Sequence, residues 1–384
     1  MSAALTLAPS PIMWPGDGPR LTAERLDGLL AWASNLGASD IRLETGKRII
    51  LQVHGRVLKV STRRLTEYEA EMAVNRLTNQ DDGVAWLRTA RPLDVAYEPG
   101  LLEGYGRLRY RINAKGTLFK GQGGVAVIAR TLPTTPRPLA TQNVEYGILR
   151  AFKPKTGLVL IAGGTGEGKS TLAAGMVLDI LLDPSSNRII VEYSAPVEYV
   201  FDGIDGPSSE ITQIQIGLNI ETFAMAIRDA MRSNADTIVI GECRDGETME
   251  AALDAALANH AVYTSIHAGT AYETIQRAVR LCPVAQRDAL TTSMAQALRL
   301  IVNQRLLWSA DGTRTPVREY LICDKGVRRQ LALTNPEKWP QLVEALVEER
   351  GTSFAHSIRR ALAEGRISEE VANDNLLGEA AHVA

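Results

Sequence analysis

Three cysteines in 384 residues, Cys243, Cys282 and Cys323, are too few and too scattered for a disulfide framework, and no C-x-x-C pair suggests a zinc knuckle. Such thiols suit a reducing cytoplasm. Charge of one sign is also lacking. The 42 basic and 44 acidic side chains leave a net charge of −2, so nothing draws the whole chain to nucleic acid or anionic lipid. Direct nucleic-acid binding is not expected. No apolar run approaches membrane-spanning length, which leaves partners or a surface as the route to a membrane. Residues 1–19 have neither a basic start nor a long apolar stretch and do not read as a secretion signal. Their Pro9, Pro11, Pro15, Gly16, Gly18 and Pro19 read as a flexible lead-in, taken as residues 1–20. Repeats and low-complexity tracts are absent.

What is present is ordinary globular composition, 45% hydrophobic and 22% charged, with core enough for two or three domains. Residues 21–130 read as an α+β domain. The spacing of Leu26, Leu29, Leu30 and Ala33 predicts a helix, and Ile49–Val53 and Val57–Val60 predict a hairpin turning at His54-Gly55. Thr66 caps a second helix with Glu67 and Glu69 in its first turn, and further strands follow at Val95–Tyr97, Gly106–Asn113 and Val125–Ala129. A Pro- and Thr-rich linker spans 131–144. Strands at Leu158–Ala162, Arg188–Tyr193, Thr237–Gly241 and Ala261–Ile266 alternate with helices through 145–310, which predicts an α/β, doubly wound parallel sheet. Residues 311–384 read as one short strand, Thr315–Cys323, and three helices.

The sharpest motif is Gly163-Gly164-Thr165-Gly166-Glu167-Gly168-Lys169-Ser170-Thr171, a full G-x-x-x-x-G-K-[ST] between an apolar strand and a helix. Its glycines let consecutive backbone N–H groups turn toward a polyphosphate, and the helix adds its positive end. Lys169 supplies charge to the β/γ-phosphates and the Ser170 hydroxyl suits Mg²⁺. ATP and Mg²⁺ are therefore the expected cofactors.

Ligands of parallel α/β sheets lie beyond the carboxyl ends of the strands. Glu242, just past Thr237–Gly241, is the candidate carboxylate for Mg²⁺ or water, and His267, just past Ala261–Ile266, is placed to sense phosphate. Asp236 and His260 lie at the opposite strand ends, Asp236 roughly 16 Å from the site. Glu192, sharing a strand face with Ser194, and Glu198, beyond Pro196, are the two candidates for activating water. In Arg107–Asn113 the apolar Leu108, Tyr110 and Ile112 share one face while Arg107, Arg109 and Arg111 share the other. That row reads as a solvated edge, as a set of guanidinium groups reaching phosphate held by another domain or subunit, or, third because no aromatic residues share its face, as a nucleic-acid-binding strip.

Taken together, these motifs resemble the secretion-type traffic ATPases, which include pilus-retraction motors and the ATPases of type II and type IV secretion. The phosphate loop, the Walker B-like Asp236–Asp245 with Gly241-Glu242, the His box Thr264–Ala268, Ala38–Leu43 with Val53–Arg56, the arginines at 109, 111 and 130, and the tail Ser353–Ser368 all match in order. Ser194-Ala195-Pro196-Val197-Glu198 stands where the family has Glu-Asp-Pro-[IV]-Glu, and its alanine is similar to the Glu-Ala-Pro of the type IVB secretion and plasmid-conjugation branch. The usual catalytic glutamate position then holds Ser194, and Glu192 is the preferred substitute. The resemblance implies a PAS-like N-terminal domain, a RecA-like domain and a helical tail, assembled as a homohexamer. It further implies nucleotide held between the large domains with Arg109 and Arg111 closing on it, and cytoplasmic work on an inner-membrane secretion or pilus complex. A DNA-translocating RecA-type motor and a nucleotide-gated docking scaffold are the alternatives.

Overall fold

The computed structural model describes residues 12–53, 56–100 and 104–382. The hairpin turn expected at His54-Gly55 and the first eleven residues of the expected lead-in lie outside these. The chain divides into two compact units with the boundary at Thr134/Thr135.

The first unit is an antiparallel sheet of β1 (Ala38–Glu44), β2 (Ile50–Val53), β3 (Arg56–Lys59), β4 (Leu93–Tyr97), β5 (Arg109–Phe119) and β6 (Gln122–Leu132) in the order β3-β2-β1-β6-β5-β4. Helices α1 (Ala23–Asn35), α2 (Glu67–Thr78) and α3 (Gly83–Arg88) pack against it. The alternation on β5 works as the pleat requires: Tyr110, Ile112 and Ala114 are buried with Leu29, Leu30, Ile41 and Leu77. Full burial of each large apolar side chain contributes about 1.5–3 kcal/mol. Part of the expected lead-in belongs to this unit. Trp14 is buried, its N–H donates to Val60 O at 2.9 Å, and Asp17 accepts from the backbone and hydroxyl of Thr62.

The second unit is built on β7 (Gly157–Ala162), β8 (Ile189–Ser194), β9 (Glu210–Gln215), β10 (Thr237–Ile240), β11 (Ala261–Ile266), β12 (Leu298–Trp308) and β13 (Arg314–Ile322), ordered β13-β12-β7-β11-β10-β8-β9. Every pairing is parallel except β12 with β13. The sheet is thus not purely parallel, and the boundary expected near Asp311 falls inside an antiparallel hairpin. Helices α4 (Tyr146–Ala151) and α5 (Lys169–Leu182) belong to one apolar cluster. Another holds α6 (Phe223–Ala230), α7 (Gly246–Leu257), α8 (Ala271–Leu281), α9 (Arg287–Ala297), α10 (Lys325–Leu333) and α11 (Trp339–Arg350). Two clusters on one sheet are what strands buried on both faces require. Helices α12 (Phe354–Ala363) and α13 (Glu369–His382) cover β12 and β13 through Phe354, Ile358 and Ala372 against Leu307 and Val317.

The expected linker 131–144 is consumed from both ends. Thr131 and Leu132 finish β6, and Leu139–Thr141 forms a single 3₁₀ turn with Leu139 buried in the second unit. No helix among the described residues is long and apolar enough to cross a membrane.

Candidate functional site

Strand β7 is buried along its whole length and delivers the chain to the phosphate loop at the carboxyl edge of the sheet. The loop needs its glycines. Gly163, Gly166 and Gly168 have φ of 153°, 79° and 77°, and a Cβ on Gly163 would sit 2.5 Å from Gln304 O. Helix α5 begins at Lys169 with Gly168 as its N-cap, so its first N–H groups face the loop.

Lys169 is 8% exposed. Its three N–H donors go to Gly163 O at 2.9 Å, Gly164 O at 2.8 Å and His267 Nδ1 at 3.3 Å. An ammonium only donates, so Nδ1 of His267 accepts and Nε2 carries the ring proton. That Nε2 lies 3.3 Å from Glu242 Oε1, and Glu242 Oε2 lies 2.6 Å from Arg244 Nη2. Lys169, His267 and Glu242 therefore form one continuous relay. Burial lowers the pKa of Lys169, against the pull of Glu242, Glu198 and Glu167. Burial, then the Lys169 charge, keeps His267 below the usual imidazole value and so neutral at pH 7. Burial works to raise the Glu242 pKa, but Arg244, His267 and Lys169 outweigh it and hold the carboxyl below its usual range.

Gly241 explains how Glu242 reaches this place. A Cβ there would lie 3.0 Å from Ser194 Oγ, so the glycine lets β10 and β8 end side by side. Asp245 caps α7 by accepting from Thr248 N at 2.8 Å, and Asp236 accepts from Ile189 N at the far end of β10. His260 Nδ1 lies 2.6 Å from Ala235 O. Both far-end residues are structural.

Strand register sets the level of Glu192, one of the two base candidates. Leu160, Thr264, Ile240 and Tyr193 are level across β7, β11, β10 and β8. Glu242 is two residues beyond that row and Glu192 one residue before it, a separation along the strands of roughly 10 Å. Glu192 Oε1 accepts from Ser194 Oγ at 2.7 Å and Oε2 from Gln213 Nε2 at 2.7 Å. Glu198, past the end of β8, is one of the carboxylates whose charge acts to raise the Lys169 pKa.

Ser170 is exposed at the start of α5, and Thr171 Oγ1 lies 2.8 Å from Tyr199 OH. Glu167 bonds back to Leu306 N. Beside the loop opens a cavity of about 720 Å³ whose walls include Gly168, Thr171, Arg137, Asn143, Asp311 and Arg314. Neither Gln304 nor this cavity was signalled by a sequence motif. Arg109 and Arg111 lie in the first unit, where Arg109 is 3.6 Å from Glu98 and Arg111 2.5 Å from Asp94. Among the described residues no group of three or more His, Cys, Asp or Glu could hold a metal alone.

Fold and site together define a phosphate-loop α/β protein. The chain belongs to the type II/IV secretion system protein family, whose profile matches residues 139–368. It is 28% identical to the type IV pilus retraction ATPase PilT of Pseudomonas aeruginosa, over 90% of this chain and 96% of that one. Type II secretion system protein E of Aeromonas hydrophila is 25% identical over 90% of this chain and 74% of its own length. Among solved structures, the Legionella pneumophila ATPase DotB superposes with a TM-score of 0.86 at 34% identity, over 96% of this chain and 100% of that one. The pilus retraction motor PilT with bound ADP superposes with a TM-score of 0.75 at 28% identity, over 92% and 96%.

Proposed function

We propose that this protein hydrolyses ATP in a Mg²⁺-dependent reaction, as a hexameric traffic ATPase serving type IVB secretion, conjugative transfer or pilus dynamics. The observation that carries the reading is the half-buried relay Lys169–His267–Glu242 at the mouth of a glycine loop shaped for phosphate. The donor set fits a triphosphate: an ammonium, the first N–H groups of α5 and Ser170 converge on one edge. The cavity beside Gly168 and Thr171 has the size of a nucleoside site.

Lys169 would bind and orient the β/γ-phosphates, and neutral His267 would report their arrival to Glu242 through its ring N–H. Ser170 and Glu242 are the groups that would hold Mg²⁺, which when bound neutralises phosphate charge. For the attacking water we prefer Glu198 to Glu192: Glu192 sits inside β8 with both oxygens hydrogen-bonded, while Glu198 follows the strand and its charge acts on Lys169. Glu192 and Ser194 then serve as a brace for the strand end. Arg109 and Arg111 are the proposed phosphate-closing pair, each exchanging its present carboxylate for the anion. The ring would work in the cytoplasm and be recruited to an inner-membrane complex by its partners.

The test is steady-state ATP turnover of the full chain beside Lys169→Ala. Turnover at least 10³-fold above the variant is expected. Equal rates would leave a nucleotide-gated docking protein, the reading that Ser194 favours, and stimulation by single-stranded DNA would point to a translocating motor.

A further inference from the structure

One buried guanidinium takes no part in the relay yet is bonded to residues that themselves bond the phosphate loop and the start of α5. The Arg318 side chain, on β13, is 1% exposed. Burying such a charge costs several kcal/mol unless its donors are paired, and these are paired to two stretches of chain, 142–145 and Gln304. Nε donates to Gln304 Oε1 at 2.8 Å, Nη1 to Asn143 O at 2.9 Å and Glu145 Oε2 at 3.1 Å, and Nη2 to Gln142 O at 2.9 Å.

Gln304 on β12 is buried as well, and its two ends do different things. Arg318 only donates, so the amide oxygen faces it. The amide nitrogen then faces the phosphate loop and donates to Glu167 O at 2.7 Å. From the other side Gln142 Nε2 donates to Thr171 O at 3.2 Å. A Cβ on Gly175 would sit 2.3 Å from that nitrogen and 2.9 Å from Arg137 O, so α5 admits the 137–142 stretch only because Gly175 is there. Glu145 adds the tail: its Oε1 accepts from Arg360 Nη2 at 3.3 Å and Ser357 Oγ at 3.4 Å.

We propose that Gln304 is a positioning residue that couples the phosphate loop, through Arg318, to residues 137–145, where the second unit begins. This deepens the nucleotide-binding reading and rests on it. The carbonyl of Glu167 and the N–H of Gly168 belong to one planar peptide and point in opposite directions. A phosphate accepting from Gly168 N–H polarises that peptide and makes Glu167 O a stronger acceptor for Gln304. Hydrogen bonds in series strengthen one another in this way. The gain passes along Gln304 and Arg318 to the carbonyls of Gln142 and Asn143, tightening the stretch when nucleotide is bound.

The test is amide hydrogen exchange by mass spectrometry on the full chain with and without ADP. In the unmodified protein ADP is expected to slow exchange in both 163–171 and 137–145. Gln304→Glu keeps an acceptor for Arg318 and removes the donor to the loop. In it ADP should still protect 163–171, with affinity weakened about tenfold or less, while 137–145 no longer responds. Arg318→Lys, which cannot span both carbonyls, should lose the same response. A purely structural role would loosen 137–145 equally with and without ADP. The proposal is overturned if 137–145 ignores ADP in the unmodified protein while the loop responds, or if both variants keep the response. If ADP protects neither segment, the nucleotide reading itself fails and the coupling goes with it.

Discussion

Each unit holds a glutamate below the ordinary carboxylate range, each beside an arginine, and the two differ in what else holds them. Glu69 in the first unit is 2% exposed and receives five hydrogen bonds, from Leu21 N, Thr66 N, Thr66 Oγ1 and both Nη atoms of Arg63. Two of those donors are backbone, and Thr66 with Glu69 makes a reciprocal capping box that fixes the start of α2. Glu242 in the second unit is paired with the side chains of Arg244, itself 65% exposed, and His267. Those partners can move, and they stand at the open end of a parallel strand. A depressed carboxylate is therefore not by itself a sign of function. What distinguishes the two is that Glu69 has backbone donors among its partners, fixed by the start of α2, whereas the partners of Glu242 described above are side chains alone.

The largest expected effect breaks the relay while leaving the loop. Glu242→Gln keeps the shape and removes the charge, and should lower ATP turnover about 10²–10³-fold. ADP affinity should stay within a few-fold, as read by isothermal titration. Undiminished turnover would place Glu242 in the same structural category as Glu69. The next contrast lies within the second unit. On the proposed roles Glu198→Gln should cost about 10²-fold in turnover, whereas Glu192→Gln should cost less than about tenfold, both Glu192 oxygens being engaged by Ser194 and Gln213. The reverse ranking would restore Glu192 as the water-activating group.

The contrast also shows what a sequence can carry. The phosphate loop was legible because its chemistry is written in nine consecutive residues. The placement of Glu242 and His267 near Lys169 was legible because they follow apolar strands in a parallel sheet, at the edge where the phosphate loop also lies. Glu192 shows the limit of that reasoning. Two residues along β8 decide between the sheet interior and its edge, and only the pairing with β10 sets that level. Gln304 and Arg318 were not legible at all, because their partners Glu167 and Asn143 lie 137 and 175 residues away. Among the strands, β12 was hidden because α9 runs into it at Leu298 with no turn between them. The alternating polar residues of β9 gave too weak an apolar pattern to register.

The smallest expected effect tests the structural side of the comparison. Burial works against the Glu69 carboxylate, but Arg63, Thr66 and Leu21 overcome it and bring the pKa from 4.5 to about 2. A folded-state pKa below the unfolded one stabilises the fold above about pH 4.5, and the contribution is lost as the pH falls toward 2. At about 1.4 kcal/mol per unit the full depression corresponds to roughly 3–4 kcal/mol. Glu69→Gln retains some of the hydrogen bonds and should cost about 2 kcal/mol at pH 7. Amide exchange in α2 of the full chain should therefore quicken about thirtyfold at pH 7, and the variant should lose most of the further weakening that the unmodified chain shows between pH 4.5 and 2. ATP turnover at pH 7 should stay within twofold, because no atom of Glu69 belongs to the relay. A variant that leaves α2 exchange unchanged but reduces turnover would show that the first unit's glutamate, too, is functional.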